Sequence, residues 1–316
     1  MSEPKSIDNM LKSGLLKSGT DPSLVVKRLP FGIPSLDNFL GGGLPLGRCT
    51  EAYGPESTGK TLLAQLATAA VQKTDKPQVL LFDMEMTYDE TWWAKSGVDT
   101  EKLLVSTPRT AEEMIDISVA MLETSKDLGM IILDSIAATV PGPIADPDKS
   151  AEDNRQPGLL AKSLALWFYK TIHIVSEKNV ILFITNQMRE NIGGYDELAA
   201  LPGGRSQRHY SQIILRTHRE GWIKEGKDNI GYYMEIISKK NKTAMTPDGT
   251  SIVIPFLASS QIDLLSAYIE DAVKQKVMTR KGPYYGYNGK NFLGMTATRE
   301  YFSDNPDELE ALKIAL

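Results

Sequence analysis

The chain has 316 residues, 41% of them hydrophobic and 24% charged, with a net charge of −5 at neutral pH. That length suffices for one large α/β domain with a small appendage and a fully buried core. The single cysteine, Cys49, rules out an internal disulfide and a cysteine-cluster zinc site, and three histidines are too few for a metal cage; Cys49 reads as a small core residue. There is no run of about 18 or more apolar residues and no charged-then-apolar leader, so the expectation is a cytoplasmic protein without a membrane span or secretory signal. The acidic balance argues against a uniformly basic nucleic-acid coat and leaves room for a local positive groove.

Taken in chain order, residues 1–30 read as an arm, with a short amphipathic stretch from Ile7 to Leu16 and a break at Ser18-Gly19-Thr20-Asp21-Pro22. Residues 31–257 alternate strand and helix patterns. Strands are expected at 48–53, 78–83, 102–106, 129–134 and 180–185, and helices near 60–72, 89–96, 110–126 and 158–176. Such alternation implies a mainly parallel sheet covered by helices on both faces. Strand-like runs at 211–217, 231–238 and 251–255 extend that sheet as hairpins. Residues 258–316 form a small α+β appendage: a helical pattern, Gly/Tyr-rich turns around Gly282 to Gly289, then a helix from Pro306. Two long polar loops, Pro141 to Pro157 and Met188 to Gly204, signal either function or disorder.

The run Gly54-Pro55-Glu56-Ser57-Thr58-Gly59-Lys60-Thr61 fits G-x-x-x-x-G-K-[ST] and lies between a strand pattern and an Ala/Leu-rich helix pattern. Its glycines let backbone N–H groups turn inward, and with the positive end of the following helix they make a nest for a triphosphate. Lys60 then reaches the β- and γ-phosphates and Thr61 offers its hydroxyl to Mg²⁺. A carboxylate at the end of a neighbouring apolar strand completes the metal site, and Met130-Ile131-Ile132-Leu133-Asp134 supplies Asp134. A third strand, Val79 to Phe82, runs into Asp83-Met84-Glu85, which makes Glu85 the candidate for orienting or deprotonating the attacking water. On composition alone a carboxylate there fits an idle surface position equally well.

Together these residues resemble the RecA family of recombinases, its bacterial branch above all, over residues 31–310. The resemblance rests on Pro55-Glu56-Ser57 inside the loop, the preceding Gly42-Gly43-Leu44-Pro45-Leu46-Gly47-Arg48, Gly97-Val98-Asp99 with Leu103-Leu104-Val105-Ser106, and above all Lys240-Asn241-Lys242. It implies a P-loop ATPase core with Glu85 as catalytic carboxylate, and Lys240 and Lys242 reaching the ATP of the neighbouring subunit. Such a cation supplied in trans makes hydrolysis depend on assembly. It further implies that Asp89 and Trp92 contact adenine, and that Gln187 senses the γ-phosphate and relays it to the loop behind it.

In that loop Arg189, Asn191, Ile192, Gly193, Gly203, Gly204 and Arg205 fall where the family binds DNA, and Lys162 takes the place of a DNA-contacting arginine. Asn191, Tyr169, Pro157 and His209 depart from the family's residue types, and the short arm and missing acidic tail fit a phage or plasmid version. Lys274, Lys276, Arg280, Lys281 and Lys290, interleaved with Tyr284, Tyr285 and Tyr287, suggest a positive, partly aromatic face for duplex DNA on the appendage. The reading is an ATP- and Mg²⁺-dependent recombinase that forms a self-assembled filament on single-stranded DNA and exchanges strands with double-stranded DNA, aided by single-strand-binding and loader proteins. A closed ring ATPase or helicase on the same fold, and a recombination mediator that barely hydrolyses ATP, are the alternatives.

Overall fold

The computed structural model describes residues 7–145, 158–188, 198, 201–257 and 261–316. The arm holds one short helix, α1 (Ile7–Lys12). A two-residue strand, β1 (Arg28–Leu29), pairs antiparallel with β2 (Leu44–Pro45) around α2 (Pro34–Leu40). Then come β3 (Cys49–Gly54), α3 (Lys60–Val71), β4 (Gln78–Asp83), α4 (Glu90–Lys95), β5 (Leu103–Ser106), α5 (Ala111–Thr124), β6 (Leu128–Asp134), α6 (Gly142–Ala145), α7 (Leu159–Lys178) and β7 (Ile181–Gln187). Each strand and helix expected from the alternation is there, within a few residues at its ends.

A short α8 (Ser206–Tyr210) leads into β8 (Ser211–Glu225), β9 (Asp228–Asn241), β10 (Ser251–Leu257) and β11 (Gln261–Ile262). Among the described residues the main sheet has nine strands in the order β11-β10-β9-β8-β3-β7-β6-β4-β5. The six strands from β8 to β5 pair in parallel, and β9, β10 and β11 add antiparallel at the other edge. The β8–β9 hairpin is much longer than the apolar runs at 211–217 and 231–238. Its far end carries Glu220, Lys224, Lys227 and Asp228, so the apolar signal stops where the hairpin leaves the core.

Alternation along the central strands divides the core in two. Met130 and Ile132 of β6, with Ile181 and Phe183 of β7, pack on the α3 side among Leu63, Ala67 and Trp93. Ile131 and Leu133, with Leu182 and Ile184, face the other way, against Met114, Leu122, Trp167 and Val175 of α5 and α7. Residues buried on both faces leave no polar position in the strand, which is why β6 reads as a continuous apolar run. The indole of Trp167 donates to Ser118 Oγ at 3.0 Å, satisfying both buried polar groups between α5 and α7.

The C-terminal part contains α9 (Leu264–Lys274), a three-stranded meander of β12 (Thr279–Lys281), β13 (Tyr284–Tyr287) and β14 (Lys290–Leu293), then α10 (Gly294–Asp304) and α11 (Pro306–Ile314). It has its own core around Ile269, Met278 and Phe302. Two tyrosines grouped with the basic residues as a surface belong instead to this core: Tyr285 and Tyr287 are buried, whereas Tyr284 is exposed. β13 is the central strand of the meander, so alternate residues must face α9 and α10. Arg280 lies over the Tyr285 ring and beside Glu270, and Lys290 over Tyr301, so neither presents a bare charge. No helix among the described residues is long and apolar enough to cross a membrane.

Candidate active site

β3 is flanked by β7 and β8, and its end delivers the glycine-rich run to the edge of the sheet where Gln187 and Asp134 also emerge. Gly59 caps α3 in a left-handed conformation (φ 98°), and a Cβ there would stand 2.3 Å from Met234 Sδ. The backbone angle therefore favours glycine at Gly59, and any larger residue would also have to displace the β9 side chain above it. Thr58 Oγ1 bonds Pro55 O at 2.8 Å and Thr217 Oγ1 at 2.7 Å, fixing the loop to β8. Lys60 Nζ donates to Pro55 O at 2.7 Å and Gly54 O at 3.2 Å. Burial lowers the pKa of Lys60, against the opposing pull of Asp134, Glu85 and Glu56.

Thr61 Oγ1 donates to Asp134 Oδ2 at 2.8 Å, and Thr185 Oγ1 donates to the other oxygen of the same carboxylate. Asp134 is buried, and burial raises its pKa, opposed by the hydroxyls of Thr185 and Thr61 and reinforced by Glu85 and Asp83. A cation at this carboxylate would relieve that cost. Among the described residues no group of three or more His, Cys, Asp or Glu side chains is placed to hold a metal ion by itself. The Thr61–Asp134 pair nevertheless fits Mg²⁺, which keeps several waters and takes its other oxygens from substrate phosphates.

Asp83 shapes the segment that carries Glu85 by accepting from the N–H groups of Thr87 (3.1 Å) and Tyr88 (2.8 Å). Glu85 Oε1 then accepts from Ser135 Oγ and, at 2.9 Å, from Gln187 Nε2. Residues 50 to 102 positions apart thus meet in one hydrogen-bonded group. Beneath it, the wholly buried Glu51 of β3 accepts from Asn186 Nδ2 at 3.1 Å and from Ser211 Oγ at 3.3 Å. Burial pushes Glu51 up to about 7, with Asn186, Ser211, Lys240 and Arg208 pulling the other way. Asn186 also takes the Gln187 N–H (3.0 Å) and donates to Pro202 O (3.1 Å), so the residue before Gln187 is tied to the far end of the loop that follows it.

The cavity over the loop, about 640 Å³, brings together Glu56 to Thr61 with Glu85, Trp92, Asp134 and Gln187. It is also lined by Arg219 and Trp222 of β8, Tyr232 of β9 and Phe256 of β10, four residues that motif reading did not single out. Trp92 meets Phe256 edge-on, with ring centroids 6.3 Å apart. Asp89 is not on the lining: its carboxylate caps α4 by accepting from Trp92 N at 2.8 Å.

The family model of the RecA N-terminal domain matches residues 5–257. The protein RecA of Arthrospira platensis is 33% identical over 297 residues, 93% of this chain and 80% of its own length. That of Thermus aquaticus is 32% identical over an alignment of 322 positions, gaps included, that covers 98% of this chain and 92% of its own length. The chain belongs to the RecA family. A crystal structure of the RadB recombinase, 20% identical, superposes with a TM-score of 0.54 over 73% of this chain and 97% of its own, a likeness of fold.

Among the described residues, the others that the RecA resemblance singled out are not on the cavity lining. Lys240 Nζ is bonded to the carbonyl oxygens of Arg208 and Ser211, and Ser211 pairs with Cys49 at the start of β3. Cys49 and Gly54 are separated by about 16 Å of strand, so within one chain Lys240 cannot meet a phosphate held at Lys60. Lys242 is exposed on the same edge. Lys162 is exposed on the first turn of α7, and Arg205 is exposed at the start of α8. Gly204 is also exposed, but Gly203 is buried, and a Cβ there would strike Gln207, Leu164 and Ile136. Arg189, Asn191, Ile192 and Gly193 lie outside the described residues.

Proposed function

We propose that this chain is an ATP-dependent homologous recombinase that assembles as a filament on single-stranded DNA, pairs it with duplex and exchanges strands. The observation that carries the reading is the Gln187–Glu85 hydrogen bond at 2.9 Å, beside the Thr61–Asp134 pair. It joins the hydrolytic carboxylate to the residue from which the 188–204 loop departs. In this reading Lys60 and the loop N–H groups bind the triphosphate, and Thr61 and Asp134 would hold a Mg²⁺ whose charge would offset that of the phosphates. Glu85, held by Ser135 and Gln187, orients water and takes its proton. The γ-phosphate competes with Glu85 for the Gln187 amide, and the resulting shift orders the DNA loop through Asn186 and Pro202.

The separation of Lys240 and Lys242 from their own chain's Lys60 supports action in trans, which would make hydrolysis conditional on filament contacts. Lys162, Arg189, Asn191, Ile192, Gly193, Gly204 and Arg205 supply the DNA groove in this account, by phosphate pairing, wedging and close backbone approach, while the buried Gly203 packs the loop end onto α7. The division into an arm (1–30), an ATPase core (31–257) and a C-terminal domain (258–316), and a cytoplasmic location, belong to the same proposal.

The test is ATP hydrolysis with and without single-stranded DNA, in the unaltered chain and in Lys60→Ala. Strong stimulation by DNA that disappears in Lys60→Ala is the expected result. Hydrolysis indifferent to DNA would transfer the assignment to a ring ATPase, and none at all to a mediator.

A further inference from the structure

The β8–β9 hairpin overhangs the phosphate loop with one chemically distinctive face. Arg219 pairs across the hairpin with Met234, and Trp222 with Tyr232. Met234 and the Tyr232 hydroxyl are the atoms that a Cβ on Gly59 would meet, at 2.3 and 3.4 Å, so this face looks onto the loop. The Arg219 guanidinium lies 4.4 Å from the Trp222 ring centroid and 5.9 Å from that of Tyr232, a cation held beside two aromatic rings.

Among the described residues Arg219 has no hydrogen-bond acceptor and no carboxylate partner, although it is half-buried. It also lines the cavity that contains Lys60. The carboxylates on the same lining, Glu56, Glu85 and Asp134, act on Lys60, and none of them pairs with Arg219, whose charge is left facing the cavity without a counter-ion. A planar fork with its N–H donors uncommitted can take two oxygens of a carboxylate or a phosphate, and beside a phosphate loop the phosphate is the anion at hand.

We propose that Arg219 is a second, same-chain cation for the polyphosphate of the bound nucleotide, and that Trp222 and Tyr232 are positioning residues that hold it. The proposal rests on the reading of this cavity as the ATP site. It differs from the trans role given to Lys240 and Lys242, because Arg219 belongs to the chain that holds the phosphate loop. A cation held in cis secures the triphosphate before any neighbour joins, leaving the lysines of the next subunit to set the rate.

The experiment is calorimetric titration of the full chain, at low protein concentration, with ATPγS and separately with adenosine. It uses the unaltered protein and the variants Arg219→Gln, Arg219→Lys, Trp222→Ala and Lys60→Ala. Losing charge-assisted bonds to phosphate should weaken ATPγS about tenfold or more in Arg219→Gln, about 1.4 kcal/mol, with adenosine unchanged. Trp222→Ala should fall in between, as should Arg219→Lys, which keeps the charge without the flat fork. The lysine variant also serves if the glutamine variant fails to fold.

ATPγS affinity in Arg219→Gln within about twofold of the unaltered protein overturns the proposal. An equal loss for adenosine overturns it too, by assigning the arginine to the base wall. So does a loss of single-stranded DNA affinity at unchanged nucleotide affinity. Lys60→Ala separates the two levels: unimpaired ATPγS binding there sinks the ATP-site reading itself, whereas its loss beside an unaffected Arg219→Gln sinks the arginine alone.

Discussion

Replacing Glu51 by Gln isolates a single buried carboxyl group under the phosphate loop. Glu51 has no exposed surface, and its two acceptor bonds, from Asn186 and Ser211, do not offset the loss of water. Burial therefore raises its pKa from 4.5 to about 7. The folded chain then holds this proton more tightly than the unfolded chain does, so stability declines as pH rises through that window. Below the lower value both states are protonated and the group costs nothing; above the upper value the cost is complete. At about 1.4 kcal/mol for each tenfold difference in proton affinity, the full cost is about 3 kcal/mol. Glutamine has nearly the same shape, keeps an oxygen for the Asn186 amide, and does not titrate. Urea unfolding of both proteins at several pH values reads the effect as a difference, in which all other groups cancel. The stability of Glu51→Gln relative to the unaltered chain should rise by about 3 kcal/mol between about pH 4.5 and about pH 8. A difference that stays flat across this range would refute the reasoning, because it would mean that Glu51 is ionised at no cost in the folded state.

Three further outcomes follow from the site. Glu85→Gln keeps an oxygen for Ser135 and Gln187, so nucleotide affinity should stay within a fewfold while turnover falls about 10² to 10⁴-fold, read by coupled ATPase assay and nucleotide titration. Gly59→Ala forces a Cβ into Met234 at a φ of 98° and should abolish nucleotide binding, while Gly59→Ala with Met234→Ala regains part of it; no difference between the two would show that the clash is irrelevant. Lys242→Ala and Lys60→Ala chains, each inactive alone in DNA-stimulated hydrolysis, should regain activity on mixing, since each supplies what the other lacks; a lack of recovery argues against catalysis shared between chains.

Much of the site could be read from local sequence because its chemistry sits at strand ends. The phosphate loop, Asp134 and Glu85 each follow a recognisable apolar strand, and the sheet brings such ends to one edge whatever the intervening lengths. The aromatic and arginine wall was not legible in this way. Arg219, Trp222 and Tyr232 lie on a hairpin whose outer half alternates with charged residues and has no buried face to mark it. Its turn at Gly226 and Lys227 follows Lys224-Glu225, which reads as a solvated loop. In the C-terminal part, α10 was missed because it is mostly polar, burying only Thr298 and Phe302 fully. Tyr285 and Tyr287 looked like surface residues because their lysine and arginine neighbours dominated the local composition.

Sequence by itself determined the order of strands and helices, the nucleotide-binding loop and the family, since these depend on periodicity and on residue spacing along the chain. Tertiary structure alone decided which distant groups touch. It set Gln187 against Glu85 and buried Glu51 beside Asn186 and Ser211. It also turned Lys240 away from its own phosphate loop and folded Arg219 over it. The physical reason is that burial and hydrogen bonding between residues a hundred positions apart are fixed by strand order and register, and neither leaves a trace in the spacing of the residues concerned.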